Sequence, residues 1–415
     1  MTSWGRFQAR FNNIIEDLKG HEELVEKEAS AHHMAQASDM KQSLDLLKYE
    51  MHEKLDSLAQ DEKKECFDQR QAISAWLKLD QDDQLAIFDK LESEGRKFDG
   101  TCSWILKNTK MASWLQSKPE TPIVWLQGIP GAGKSIIIGR LIKYLSLQTE
   151  ASLVVSHFCT HSYASSTEYL RILRSLLFQT LYASDDLVAY IYKEFVASKK
   201  TATISALEKL LTTVVLAVLG EPGQRQAIHI FLDGLDEVEA EKQRQVVNLL
   251  SRVSRQTQSR GAVVKVLFSC RPSPLLDRIL EKLPRVSLSD EKAQLEEAIT
   301  VYANQRLQTR SDVLSQLRIY DRDILDLSSR IAKKADGEYT PSTSYLTNQT
   351  LATVANAGPL LLGMFLWARL VLDYLASNIL HSREEVVVAI ETLPRELSKL
   401  YVHCTFLRVF GIWPS

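Results

Sequence analysis

The residues best suited to chemistry lie in the run Gly128-Ile-Pro-Gly-Ala-Gly-Lys-Ser135, with the spacing G-x-x-x-x-G-K-[ST]. Such a run lets backbone N–H groups close around phosphates: Gly128, Gly131 and Gly133 leave room, and Ile129, Pro130 and Ala132 complete the loop. Lys134 can set an ammonium between two phosphates, and the Ser135 hydroxyl can reach Mg²⁺. A second run, Ile228-His-Ile-Phe-Leu-Asp-Gly-Leu-Asp-Glu237, is an apolar stretch that ends in acids. Asp233 at its end is placed to orient the magnesium. Asp236 and Glu237 just beyond can polarise an attacking water. A third apolar run, 263–269, delivers Arg271, whose guanidinium can reach a terminal phosphate.

These groups converge only if the runs that carry them are neighbouring strands. The short apolar runs 123–126, 153–158, 228–232 and 263–269, with a weaker one at 286–288, suit strands buried on both faces. Between them, 134–147, 167–181 and 204–219 have helical spacing. This alternation predicts an α/β protein whose parallel sheet carries helices on both faces. Upstream, the first hundred residues read as helical. Met40, Leu44, Leu47, Met51, Leu55 and Leu58 share one helical face, which fits a bundle or a coiled coil. Asp99-Gly100 breaks that pattern, 104–115 reads as one further short helix, and the chain beyond Asp290 is mostly helical.

Composition excludes several classes. A formal charge of -2 over 415 residues gives no basic field for nucleic acid or an anionic membrane. The most apolar stretch, 358–372, is interrupted by Arg369 and followed by Asp373, which argues against a membrane span. Five scattered cysteines without a CxxC pair read as free thiols in a reducing, cytoplasmic setting. His157, Cys159 and His161 alternate as strand neighbours, but ligands two apart on a strand rarely converge on one metal, so a core strand is the expectation. His32-His33 reads as a solvated pair, and GxSxG, the mark of a serine nucleophile on its elbow, is absent.

Taken together, GIPGAGKS, FLDGLDE and KVLFSCRP resemble the NACHT class of STAND signalling NTPases, in the form found in fungal NLR-like proteins with a nephrocystin-3-like N-terminal region. The runs Gly100-Thr-Cys-x-Trp-Ile-Leu106 and Phe365-Leu-Trp-Ala-Arg-Leu-Val371 support it, and the resemblance spans 98–401. It implies a switch that holds a nucleoside diphosphate, exchanges it for ATP or GTP with Mg²⁺, oligomerises and signals. Lys134 and Ser135 then take the Walker A role, Asp233 binds magnesium, Glu237 or Asp236 is the hydrolytic carboxylate and Arg271 the sensor. The partners this resemblance implies are further copies of the chain or other signalling proteins, and neither nucleic acid nor membrane is expected.

The ends depart from that pattern. Relatives continue into a winged helix and sensing repeats, whereas this sequence stops at Ser415, soon after a helical run at 393–401, and shows no internal repeat. Residues 11–29 resemble the tail of a helical domain often placed before fungal NACHT regions. Residues 338–363 are rich in Thr, Ser and Asn, and without them ADGMFLWARLVLDYL would read as one helix. That segment is either a retained intron or a family-variable loop. The expected organisation is a helical region at 1–98, a nucleotide-binding core at 99–289 and a helical subdomain at 290–415. A remodelling ATPase of the AAA+ type, or a scaffold that holds nucleotide without turnover, are the alternatives to a switch.

Overall fold

In the computed structural model the described residues are 3–28, 34–79, 82–97, 100–148, 152–181, 183–220, 227–258, 262–335, 364–377 and 382–393. The doubtful segment 338–363, the pair His32-His33 and all but the first residue of the run 393–401 lie outside them. The chain divides into two compact units that are not consecutive in sequence: Met1–Leu79 with Leu181–Thr203, and Asp80–Thr180 with Ile204–Ser415.

Among the described residues the larger unit has five strands: β1 (Ile123–Gln127), β2 (Ser152–Phe158), β3 (Ala227–Asp233), β4 (Val263–Cys270) and β5 (Arg285–Ser287). Their order is β2-β3-β4-β1-β5 and every pairing is parallel. Every residue of β1 is buried, as are all but the first of β3 and of β4, so continuous apolar runs rather than alternating ones mark the central strands. The five runs read from sequence are these five strands, displaced by a residue or two at their ends.

The chain leaves β1 in one direction and β4 in the other. From β1 it crosses through α1 (Lys134–Gln148) to β2 at the far edge, and from β4 through α2 (Pro274–Leu280) to β5 at the opposite edge. Adjacent strands whose connections depart to opposite sides leave a crevice beyond their C-terminal ends, where open parallel sheets bind ligands. Upstream, α3 (Asp82–Lys97) packs on α1, with Lys143 Nζ 2.7 Å from Glu92 Oε1.

Two departures from the sequence reading have local causes. The single helix expected at 104–115 is a 3-10 turn, Ser103–Lys107, followed by α4 (Thr109–Leu115). Asn108 between them is extended, and its side chain accepts from the N–H groups of Lys110 and Met111, so it starts a new helix rather than continuing the old one. Edge strand β2 is finished by side chains rather than by another strand. The Gln179 amide on α5 (Tyr169–Leu181) pairs with both N and O of Ser156, and Gln84 does the same for Phe158, all at 2.7–3.0 Å.

Helices α6 (Lys292–Gln308), α7 (Asp321–Ala335), α8 (Met364–Ser377) and α9 (Arg383–Thr392) continue the same apolar core. Arg306 of α6 holds Asp373 of α8 at 2.6 Å, and Lys334 of α7 caps the final carbonyls of α9 at Ile390 and Glu391. The sheet unit also contains α10 (Ile204–Gly220) and α11 (Ala240–Gln258) on its flanks.

In the smaller unit, α12 (Ser3–Glu28) packs on the 44-residue α13 (Met34–Leu77). Of the stripe read from sequence, Leu44, Met51 and Leu55 are half-buried, while Met40, Leu47 and Leu58 are exposed. The C-terminal end of α13 packs against the inserted α14 (Asp185–Ile191) and a π-helical turn, Tyr192–Ala197. There Ile73, Leu77, Val188 and Ile191 are fully buried and Trp76 Nε1 donates to the Lys200 carbonyl.

Two histidines inside the sheet unit give its stability a pH signature. Burial lowers both His157 and His229 from 6.5 to about 4; Lys265 adds to the effect at His229, and the bond from His157 to the Ser166 carbonyl opposes it. Among the described residues neither nitrogen of His229 has a hydrogen-bond partner. A histidine that is neutral when folded and protonated when unfolded lends stability above its unfolded pKa and loses it as pH falls towards the folded one. Lowering pH from 7.5 to 5 is therefore expected to remove about 2 kcal/mol per histidine. Denaturant titrations of His229→Leu should show the pH dependence between 7.5 and 5 reduced by about that amount.

Candidate functional site

The glycine loop links the C-terminal end of β1 to the first turn of α1. Gly131 and Gly133 take φ of 72° and 89°, a left-handed conformation that side chains resist. Gly128 N donates to the Cys270 carbonyl at 3.2 Å, fastening the loop to the end of β4. Lys134, the first residue of α1, folds back so that Nζ donates to the carbonyls of Gly128 at 2.7 Å and Ile129 at 3.0 Å. Burial pushes its ammonium below the usual lysine range, while the Asp236 and Asp233 carboxylates offset part of that.

Asp233 closes β3 and is buried. Its carboxylate accepts from Ser269 Oγ on β4 and from the Ser135 side chain. Burial raises its pKa, opposed by the two serines and by the Lys134 charge. A buried carboxylate held by two hydroxyls beside an ammonium is a setting that a divalent cation would stabilise. Among the described residues no group of three or more His, Cys, Asp or Glu side chains is placed to hold a metal. One carboxylate and one hydroxyl still suit Mg²⁺, which takes few protein ligands and completes its shell with phosphate and water. Asp233 and Ser135 are the residues that would hold it.

Gly234 follows in the left-handed conformation, φ 74°. A Cβ there would lie 2.4 Å from the Cys159 carbonyl oxygen, a backbone atom that cannot step aside. Its N–H donates to Ser269 Oγ at 3.0 Å, so one serine serves both Asp233 and Gly234. A short turn, Leu235–Glu237, then brings Asp236 and Glu237 over the strand ends. Asp236 accepts from the Arg271 backbone N at 2.9 Å and Nε at 3.2 Å; Glu237 accepts from Arg271 Nη2 at 2.9 Å and from the His161 N–H at 2.6 Å. Arg271, placed by the end of β4, thus bridges both acids.

Pro130, Gly131, Gly133, Lys134, Ser135, Asp233, Gly234, Asp236, Glu237 and Arg271 border one cavity of about 540 Å³, whereas Gly128, Ile129 and Ala132 of the same loop are not part of its lining. Its further wall comes from α3, from the turn carrying Trp104, and from Tyr302, Phe365 and Arg369. The phosphate-loop candidates Gly131, Gly133, Lys134 and Ser135 meet Asp233, Asp236, Glu237 and Arg271 there. Ser269 joins Asp233 to Gly234; in the sequence it is only the last residue of an apolar run, and the pairing of β3 with β4 gives it this role. His157 and Cys159 are buried, with His157 Nε2 donating to the Ser166 carbonyl, while His161 is exposed.

The fold, an all-parallel five-stranded sheet flanked by helices, is of the P-loop NTPase-like α/β kind. Residues 100–271 match the family model described as "Nephrocystin 3, N-terminal". The chain is also 25% identical over 309 residues to the vegetative incompatibility protein HET-E-1 of Podospora anserina, a match covering 73% of this chain and 20% of that protein. The chain therefore spans about a fifth of the length of that relative. No helix among the described residues is long and apolar enough to cross a membrane.

Gly234→Ala is expected to destabilise the sheet unit by more than about 2 kcal/mol, through strained φ and the clash with Cys159. Chemical denaturation of the purified variant beside wild type measures this.

Proposed function

We propose that this chain is a nucleotide-dependent signalling switch that binds ATP or GTP with Mg²⁺, hydrolyses it slowly and acts through assembly. The observation that carries the proposal is the convergence on one cavity of a glycine loop with Lys134, the buried Asp233 tied to Ser135, and Glu237 with Arg271. Each residue has a distinct task. The N–H groups of 128–135 and the Lys134 ammonium bind the phosphates. Asp233 and Ser135 hold Mg²⁺, which when bound supplies charge neutralisation on the phosphate chain. Glu237, or Asp236 beside it, orients and polarises water, and Arg271 contacts the terminal phosphate.

Similarity to an incompatibility protein supports a role in a fungal incompatibility or innate-immunity pathway, with further copies of this chain or other signalling proteins as partners. The cytoplasm, where nucleoside triphosphates are abundant, suits the free thiols of Cys66, Cys102, Cys159 and Cys270. One observation favours a second reading, a scaffold that holds nucleotide without turnover: both Glu237 oxygens are already engaged, by His161 N–H and by Arg271.

Binding and turnover separate these readings. Lys134→Ala is expected to weaken binding of fluorescent ATP or GTP analogues by more than about 100-fold, since the phosphates lose their main buried cation. Unchanged binding by that variant would overturn the site assignment. Glu237→Gln is expected to bind normally and to lose at least about 100-fold in phosphate release. Equal, negligible turnover in wild type and Glu237→Gln would favour the scaffold.

A further inference from the structure

The cavity has a cationic side chain that the nucleotide motifs do not account for. Arg369 lies on α8, outside residues 100–271 that match the family model, yet it borders the same cavity as Lys134 and Arg271. Its helix is fastened to the phosphate loop: Leu366 N donates to the Gly131 carbonyl at 3.3 Å, and the Phe365 ring lies 3.5 Å from where a Cβ on Gly133 would sit. One helical turn separates this contact from Arg369, so the guanidinium is carried to the cavity by an element already seated on the loop.

Two other cations that border the cavity, Lys134 and Arg271, are engaged. Lys134 is bonded to two loop carbonyls, and Arg271 to Asp236 and Glu237. Arg369 pairs loosely with Asp373, at 3.8 Å, and Asp373 already holds Arg306 at 2.6 Å through its other oxygen. A surface i,i+4 pair of that length contributes little to stability. Arg369 therefore leaves Asp373 at small cost.

From this geometry we infer that Arg369 contacts the phosphate chain of the bound nucleoside polyphosphate, so that α8 completes the phosphate site beside the glycine loop. The inference rests on the nucleotide-binding reading given above. It extends the site to a residue whose position depends on the helical segment 364–377. Nucleotide then ties that segment to the glycine loop through a charge, besides the Leu366 N–H.

Equilibrium titration of the full chain with mant-ATP and mant-GTP tests it, using wild type, Lys134→Ala, Arg369→Gln and Arg369→Lys at low and at 0.5 M NaCl. Arg369→Gln should bind the preferred nucleotide at least tenfold more weakly at low salt. Arg369→Lys should stay within threefold of wild type, and the deficit of Arg369→Gln should shrink at high salt. Because the side chain is half-exposed, thermal unfolding of both Arg369 variants should match wild type. If Lys134→Ala loses binding while Arg369→Gln binds as wild type, the Arg369 contact is wrong and the nucleotide reading stands. If wild type binds neither nucleotide, the nucleotide reading fails and the contact falls with it.

Discussion

The buried Asp233 carboxylate is the constraint around which the site is arranged. It ends β3, accepts from Ser269 on β4 and from Ser135 on α1, and sits in the field of Lys134. Burying an ionised carboxylate is costly unless hydrogen bonds and opposite charge compensate it. The compensation here comes from β4 and from the start of α1, so a single charge links β3 to both. Gly234 and the acids beyond it then fall where they do because the chain must turn at once after Asp233, with Ser269 taking the Gly234 N–H as well.

Much of this was legible in the sequence because the decisive signals are local. A glycine loop after an apolar run, an apolar run ending in acids, and a third run ending at Arg271 each read correctly for element and order. What was not legible depends on pairing between distant parts of the chain. Ser269 gains meaning only when β3 and β4 lie side by side, and Gly234 only because Cys159 passes within reach of its missing side chain. The division into units was hidden for the same reason. Residues 181–203 have no composition that separates them from the helices on either side, yet Val188 and Ile191 are fully buried in the unit that contains α13, far earlier in the chain. The break at Asn108 was hidden by apolar spacing that persists across it, while the capping side chain overrules the spacing.

Arg271 shows how the same residues support two roles. Its guanidinium bridges Asp236 and Glu237, and those carboxylates neutralise it while it neutralises them. An arginine that is to reach a phosphate must give up part of that bridge, and a carboxylate that is to polarise water must be freed from it. In the proposed nucleotide-binding role the two requirements would coincide, and contact with phosphate and exposure of Glu237 would be coupled by charge.

The paired glutamines on β2 carry a consequence of a different kind. Gln84 and Gln179 occupy the outward-facing peptide groups of Ser156 and Phe158, two residues apart, in the way a neighbouring strand would. Any chain adding alongside this margin would first have to displace four hydrogen bonds, for a similar number regained. Lateral growth of the sheet at Ser156 and Phe158 is thus unrewarded.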